Sequence, residues 1–167
     1  GWHAAQVTQI GHGQKVIDSN GKLRELKYHP AIIINNETKE KIDEKEYDKL
    51  SDEEKSKYTV KQEAYAEVMI PRWSNLIPKD YPIEKLEKEG LDIQIAYRIP
   101  TEGKQSVSIV KVVGFLDDIY GSTIMLPDEW VTQTGADFDV DSVYAIAYEM
   151  FAVKNKLGEV QNIKKLT

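Results

Sequence analysis

The sequence contains no cysteine. Without a thiol, the chain can form no disulfide, no zinc site built on thiolates and no cysteine nucleophile. Chains that fold in a reducing compartment do without disulfides. The composition therefore fits an intracellular protein.

Positive charge is also scarce. The chain has 22 lysines and arginines against 28 aspartates and glutamates, a formal net charge of −6, and its only arginines are Arg24, Arg72 and Arg98. A protein that binds nucleic acid by itself normally presents a basic face. We therefore expect the isolated chain to bind DNA or RNA weakly.

Long apolar runs are missing as well. No stretch approaches the roughly 20 apolar residues of a membrane-spanning helix, and no signal-peptide pattern is visible, so we expect no membrane partner. A length of 167 residues with 41% hydrophobic residues fits one globular domain. Because the chain starts at Gly1 without methionine, we expect this domain to be a fragment of a larger polypeptide.

Most of the sequence predicts strands. Asn20-Gly21 favours a tight hairpin turn near the start, and apolar residues at every second position predict a strand at 91–99. Similar patterns predict strands at 106–116, 122–126 and 143–147, and a hairpin in the tail, 151–167. The expected class is mainly β with short helices (α+β), with strands concentrated in residues 1–34 and 64–150.

The predicted helices are short. Residues 35–63 are crowded with charge, and Ser51 followed by Glu54 matches a capping box, so this segment predicts two solvated helices inserted between strands. Pro82 and Gly90 enclose another helix at 83–89.

A last helix is predicted immediately before an acidic segment. Pro127 opens it, acidic residues complement the dipole of its first turn, and Gly135 ends it.

The acidic segment, G-A-D-F-D-V-D at 135–141, is the strongest chemical feature of the sequence. In a straight strand Asp137 and Asp141 would lie about 13 Å apart, so only a bent loop brings them and Asp139 to one ion. Two carboxylates at about 4 Å repel by roughly 4 kcal/mol at an effective dielectric of 20, and a cation offsets that cost. Magnesium prefers such oxygen ligands. An acidic surface turn is the alternative, which the apolar Phe138 and Val140 disfavour.

Other site classes fit poorly. An EF-hand counted from Asp137 would need glycine and glutamate where Ser142 and Tyr148 stand. The three histidines (His3, His12 and His29) lie far from the acidic segment. No nucleophile elbow, P-loop or dinucleotide-binding glycine motif occurs.

The segments R-I-P-T at 98–101 and G-A-D-F-D-V-D at 135–141 resemble the catalytic region of multisubunit-type RNA polymerases. In the β′-like subunit of that family an R-x-P-T element precedes an N-A-D-F-D-G-D loop by a similar distance. A weaker likeness, V-M-I-P-R-W at 68–73, stands where the family has a G-L-P segment. The resemblance covers residues 67–148 and is greatest to single-chain polymerases of bacteriophages, including crAss-like phages.

The resemblance implies a double-psi β-barrel, here with a charged helical insertion at 35–63. It implies that Asp137, Asp139 and Asp141 bind the catalytic Mg²⁺ and that Arg98 lies near the sugar of the incoming nucleotide. The implied activity is DNA-dependent RNA polymerase activity, a nucleotidyl transfer from a nucleoside triphosphate to the RNA 3′-hydroxyl.

The implied partners are a DNA template, the RNA product, the nucleoside triphosphate and a second barrel that supplies lysines. We find no candidate for that barrel and expect the isolated chain to be inactive. The implied location is the cytoplasm of a bacterial host, or a phage virion.

Two departures from the family pattern stand in the acidic segment. Gly135 replaces an asparagine, and Val140 replaces a glycine. A branched residue does not adopt a positive φ cheaply, so the loop path is expected to differ. Two alternatives stay open: a non-catalytic interaction or phage structural module with an ion-binding loop, and an RNA-templated RNA polymerase.

Overall fold

The computed structural model describes residues 2–11, 15–17, 20–73, 76–99, 106–121, 123–130, 142–148 and 150–165. Over these ranges the fold is mainly β with a few short helices, an α+β class, which confirms the predicted class. None of the helices in the described ranges is long and apolar enough to cross a membrane.

The strands in chain order are β1 (Trp2–Gly11), β2 (Lys15–Ile17), β3 (Leu23–Glu25), β4 (Tyr28–His29), β5 (Ile32–Asn35), β6 (Lys41–Ile42), β7 (Tyr58–Gln62), β8 (Tyr65–Ile70), β9 (Ile93–Ile99), β10 (Ser106–Phe115), β11 (Thr123–Met125), β12 (Ser142–Tyr148), β13 (Met150–Lys154) and β14 (Val160–Lys165). The helices are α1 (Glu44–Asp48), α2 (Asp52–Lys55) and α3 (Ile83–Lys88), with a 3₁₀ turn at Asp118–Tyr120.

The largest sheet has the strand order β10-β9-β12-β1-β11-β8-β4. β10 also pairs with β8, so the six strands from β10 to β8 in this order are joined in a cycle in which each pairs with two others, and β8 pairs with β4 as well. The β1–β11 and β8–β10 pairs are parallel, and the other pairs are antiparallel. We call these six strands the strand cycle.

The main core lies on one face of the strand cycle. It consists of small and branched apolar side chains, which suit the crowded interior of a sheet, together with one tryptophan. Its buried members are Ala66, Val68, Ile70, Ala96, Val110, Val112, Ile124, Leu126 and Trp130.

The strand at 91–99 is confirmed, as β9, but its buried face is not the apolar one. Gln94 and Ala96 are 0% and 2% exposed, whereas Ile93 and Ile95 are half-buried. Both faces of β9 are therefore at least partly covered. A period-two pattern cannot tell which of two covered faces is the deeper.

The charged segment 35–63 contains both predicted helices. Neither α1 nor α2 has a buried residue, and the capping box is confirmed, since Ser51 Oγ accepts a hydrogen bond from the Glu54 N–H at 3.2 Å. The segment also contributes β6 and β7, which pair with β5 in a separate three-stranded sheet and were not predicted.

The predicted helix α3 and the predicted tail hairpin are both present and pack together. Gly90, just beyond α3, has a φ of 72°, which glycine adopts without strain. Leu86 of α3 and Ile163 of β14 are both fully buried. The Ile163 N–H donates a 2.8 Å hydrogen bond to the Tyr81 hydroxyl.

Candidate functional site

The acidic segment 135–141 lies outside the described residues, so the assignment of Asp137, Asp139 and Asp141 stays a prediction. Arg98 lies on β9, where its backbone is described. The structure bears on the site through the residues that flank the acidic segment on both sides.

The downstream flank is β12, which begins at Ser142, one residue after Asp141. β12 lies between β9 and β1. Ser142 is opposite Ile99, and Val143 is opposite Arg98. Antiparallel residues that face each other have Cα atoms about 5 Å apart, so the chain leaves the acidic segment directly beside the Arg98 backbone.

The upstream flank is a helical turn at residues 128–130. Trp130 is 1% exposed, and its indole Nε1 donates a 3.3 Å hydrogen bond to Ser108 Oγ on β10. The Glu129 carboxylate accepts a 3.2 Å hydrogen bond from the Tyr28 N–H. This turn is therefore held against β10 and β4.

Both flanks meet β9 and β10 at the same end of these strands. β10 pairs with β9 through Ser106 opposite Arg98 and Ser108 opposite Ala96. Trp130 is thus hydrogen-bonded to Ser108, two residues beyond Ser106, which pairs with Arg98. Val143 pairs with Arg98 directly. The residues on the two sides of the intervening segment are therefore attached to the neighbouring strands β10 and β9.

Among the described residues, no group of three or more histidines, aspartates and glutamates is placed to hold a metal ion. Among the described carboxylates, Glu67 and Asp92 form ion pairs, and Glu44, Asp48 and Glu63 line a cleft.

Glu67 is a buried charge that no sequence motif identifies, apart from its position inside the apolar strand β8. It is 7% exposed and accepts hydrogen bonds from Arg24 at 2.6 and 3.1 Å and from the Lys27 N–H at 2.9 Å. His29 Nε2 lies 3.3 Å from Oε2 of Glu67, and the His29 ring stacks on Tyr65. Burial alone would raise the pKa of Glu67, but the hydrogen bonds from Arg24, Lys27 and His29 outweigh it and lower that pKa.

Asp92 is a second buried carboxylate, 2% exposed. Lys111 Nζ lies 3.5 Å from its Oδ2 and 3.0 Å from Glu87 Oε1. Burial raises the pKa of Asp92 despite the opposing charge of Lys111. Glu67 lies on β8 and Asp92 directly before β9, and their basic partners account for both as structural ion pairs.

A cleft of about 300 Å³ lies between the charged segment and the start of β10. Three of its lining residues are the carboxylates Glu44, Asp48 and Glu63, joined by one basic residue, Lys45. Burial, followed by repulsion from Asp48, Glu63 and Asp43, raises the pKa of Glu44. The remaining lining is partly aromatic: Tyr28, Ala64, Tyr65, Ser108, Ile109 and Trp130.

No protein-family model matches this chain, and no curated protein matches it in sequence. The likeness to RNA polymerases therefore rests on the residues quoted for it.

Proposed function

We propose that this chain is the β′-like catalytic module of a DNA-dependent RNA polymerase, built on a double-psi β-barrel. In this proposal Asp137, Asp139 and Asp141 bind Mg²⁺, and Arg98 contacts the sugar of the incoming nucleotide. The module transfers a nucleotide to the 3′-hydroxyl of RNA, in the bacterial host or from a phage virion.

The strand cycle supports the barrel. Six strands with two neighbours each is the pairing expected of a closed six-stranded sheet, because closure leaves no unpaired edge. The cycle also contains two parallel pairs, β1–β11 and β8–β10, and parallel neighbours need crossover connections rather than hairpins.

The observation that carries the proposal is the pairing of Val143 with Arg98. The two motifs of the resemblance begin 37 positions apart, at Arg98 and at Gly135. A chance likeness in sequence gives no reason for the strand after the second motif to pair with the strand that carries the first. In a shared active site they must be neighbours.

The residues fit a magnesium site in their chemistry. Three carboxylates supply the hard oxygen ligands that Mg²⁺ prefers. When bound, the ion lowers the pKa of an attacking hydroxyl and stabilises charge on the phosphate. Arg98 can donate hydrogen bonds to sugar hydroxyls, because its guanidinium carries five N–H donors and accepts none.

The surroundings of the site support the need for a second barrel. The described cleft beside Trp130 carries Glu44, Asp48 and Glu63, and such carboxylates repel a triphosphate. In this proposal the cations that hold the phosphates come from the second barrel, and the chain alone should not synthesise RNA.

The test is a substitution in the complete polymerase polypeptide. D139A should reduce nucleotide incorporation on a DNA template by at least about 10³-fold, since loss of one charge-stabilising group in a site of this kind costs 10²–10³ and a metal ligand costs more. The matched control is D80A, which removes an exposed aspartate beside α3 and should leave synthesis unchanged. Full activity of D139A would refute the proposal.

The same assay separates the other readings. Synthesis on RNA but not on DNA templates would favour an RNA-templated enzyme. If no template supports synthesis, and D139A changes only thermal stability, the chain is a non-catalytic module.

A further inference from the structure

The cleft between the charged segment and the start of β10 has acidic side chains from two separate elements. Glu44 and Asp48 lie about one turn apart on α1, and Glu63 lies between β7 and β8. Among the described residues that line the cleft, Lys45 is the only basic one. The described lining therefore has an excess of two formal negative charges.

The same cleft also has aromatic and aliphatic walls. Tyr28 and Tyr65 line it and are half-buried, as is Ile109. Burial and the charge of Glu44 raise the pKa of Tyr28, so a carboxylate lies near this phenol. An ammonium group is attracted to the face of an aromatic ring, and an alkyl stem packs on apolar surface while its charged end stays polar.

We propose that this cleft binds a small alkyl diamine in its doubly protonated form. Each ammonium group can donate hydrogen bonds to a carboxylate, and the methylene chain between them can pack on the tyrosine rings. The volume of about 300 Å³ is at the lower end of the range for ligand pockets, which suits a molecule of this size.

The spacing of the carboxylates favours an extended cation over a metal ion. Side chains four residues apart on a helix, as Glu44 and Asp48 are, have Cβ atoms about 5–6 Å apart. In the described part of the chain, no set of three acidic or histidine side chains is placed to hold one metal ion. Two ammonium groups on one chain can neutralise carboxylates that a single ion does not reach together.

Mutual repulsion in the cleft gives the cation a further reason to bind. Burial, and then the charges of Asp48 and Glu63, raises the pKa of Glu44. A bound dication relieves this repulsion, because opposite charges at short range offset like ones. The diamine site goes beyond the proposed polymerase function and does not depend on it, since its residues lie outside both motifs of the resemblance.

The test is titration of the complete chain with 1,4-diaminobutane, measured by calorimetry and by ¹H–¹⁵N NMR. We expect saturable one-to-one binding, with the largest shifts at the amides of Glu44, Asp48 and Glu63. The control ligand n-butylamine has the same stem and one charge, and should bind at least about tenfold more weakly. The absence of saturable binding, equal binding of n-butylamine, or displacement of the diamine by an equal concentration of Mg²⁺ would overturn the proposal.

Matched variants locate the site. E44Q and E63Q should each weaken binding by about tenfold, because each removes a hydrogen bond to a charged group. The control E46Q neutralises an exposed carboxylate of α1 that is not among the lining residues, and should change the affinity by less than about twofold. Equal weakening in E46Q would show adsorption to a charged surface and would overturn the proposal. If E44Q does not fold, E63Q decides, because Glu63 is exposed.

Discussion

Glu67 shows how a single buried charge is stabilised by its neighbours. Its two oxygens receive Arg24, the Lys27 N–H and His29, so the ionised form is satisfied on all sides. These contacts tie the segment of β3 and β4 to β8. Glu67 and Arg24 therefore form a structural ion pair between strands that are far apart in sequence.

We predict that E67Q lowers the free energy of unfolding by about 2–3 kcal/mol, because hydrogen bonds to a buried charge are worth more than neutral ones. The matched control E87Q removes a carboxylate that is 55% exposed and bound to Lys111. It should cost less than about 1 kcal/mol. Urea unfolding measures the free energy of unfolding of both variants. Equal losses in E67Q and E87Q would contradict the assignment of Glu67 as a buried ion pair.

The same residue gives a pH prediction. The folded pKa of Glu67 lies below its ordinary value of 4.5. Its stabilisation is therefore fully present above the unfolded pKa and is lost as pH falls through the folded pKa. The stability difference between parent and E67Q should shrink in that acid window, as urea titrations at stepped pH would show. A difference that does not change with pH would argue against the ion pair.

Asp92 has the opposite effect on how stability depends on pH. Because burial raises its folded pKa above 3.8, the folded state binds a proton more readily than the unfolded state, and stability falls as pH rises through that window. D92N removes the buried charge, while Lys111 keeps Glu87 as its partner, so the substitution should stabilise the chain at neutral pH. The gain should disappear in acid, where Asp92 itself is neutral, and a loss of stability at neutral pH would contradict this reasoning.

At the residue scale, sequence patterns predict caps and turns better than buried charges. Ser51 and Gly90 are recognised because their roles depend on residues within four positions. Glu67 and Gln94 depend on partners or cores assembled from distant strands. No pattern in the local sequence predicts partners that come from distant strands.

At the element scale, α2 depends on its cap because it has no buried residue. S51A removes the acceptor for the Glu54 N–H and should cost about 1 kcal/mol. Hydrogen exchange of the amides in α2 should accelerate while the strand cycle is unaffected. The control S56A, at the other end of α2, should have a smaller effect. If the α2 amides of S51A exchange as slowly as those of the parent, the role of the cap is refuted.

Strands were largely predicted where they carry turn or alternation patterns. β9, β10, β11 and β12 are all present within two residues of the expected bounds. β6 and β7 were missed because the surrounding charge of 35–63 favoured helices. Short strands in a charged segment are stabilised by pairing with β5, which is a tertiary effect.

At the scale of the whole molecule, the sequence predicted the α+β class but not the order of the strands. Strand order depends on non-local pairing, as between β1 at the start of the chain and β12 near its end. The candidate site was predicted as two separate motifs. That the two motifs adjoin neighbouring strands is known only from the pairing of Val143 with Arg98 in the structure.

The central claim is that a divalent ion binds where β12 leaves the acidic segment, beside Arg98. Mn²⁺ can replace Mg²⁺ at oxygen sites and broadens NMR signals of nearby nuclei. On adding Mn²⁺ to the chain, we expect the amide signals of Ser142, Val143 and Ile99 to broaden first and D139N to prevent this broadening. Broadening centred instead on the cleft at Glu44 and Glu63, or unchanged in D139N, would contradict the claim.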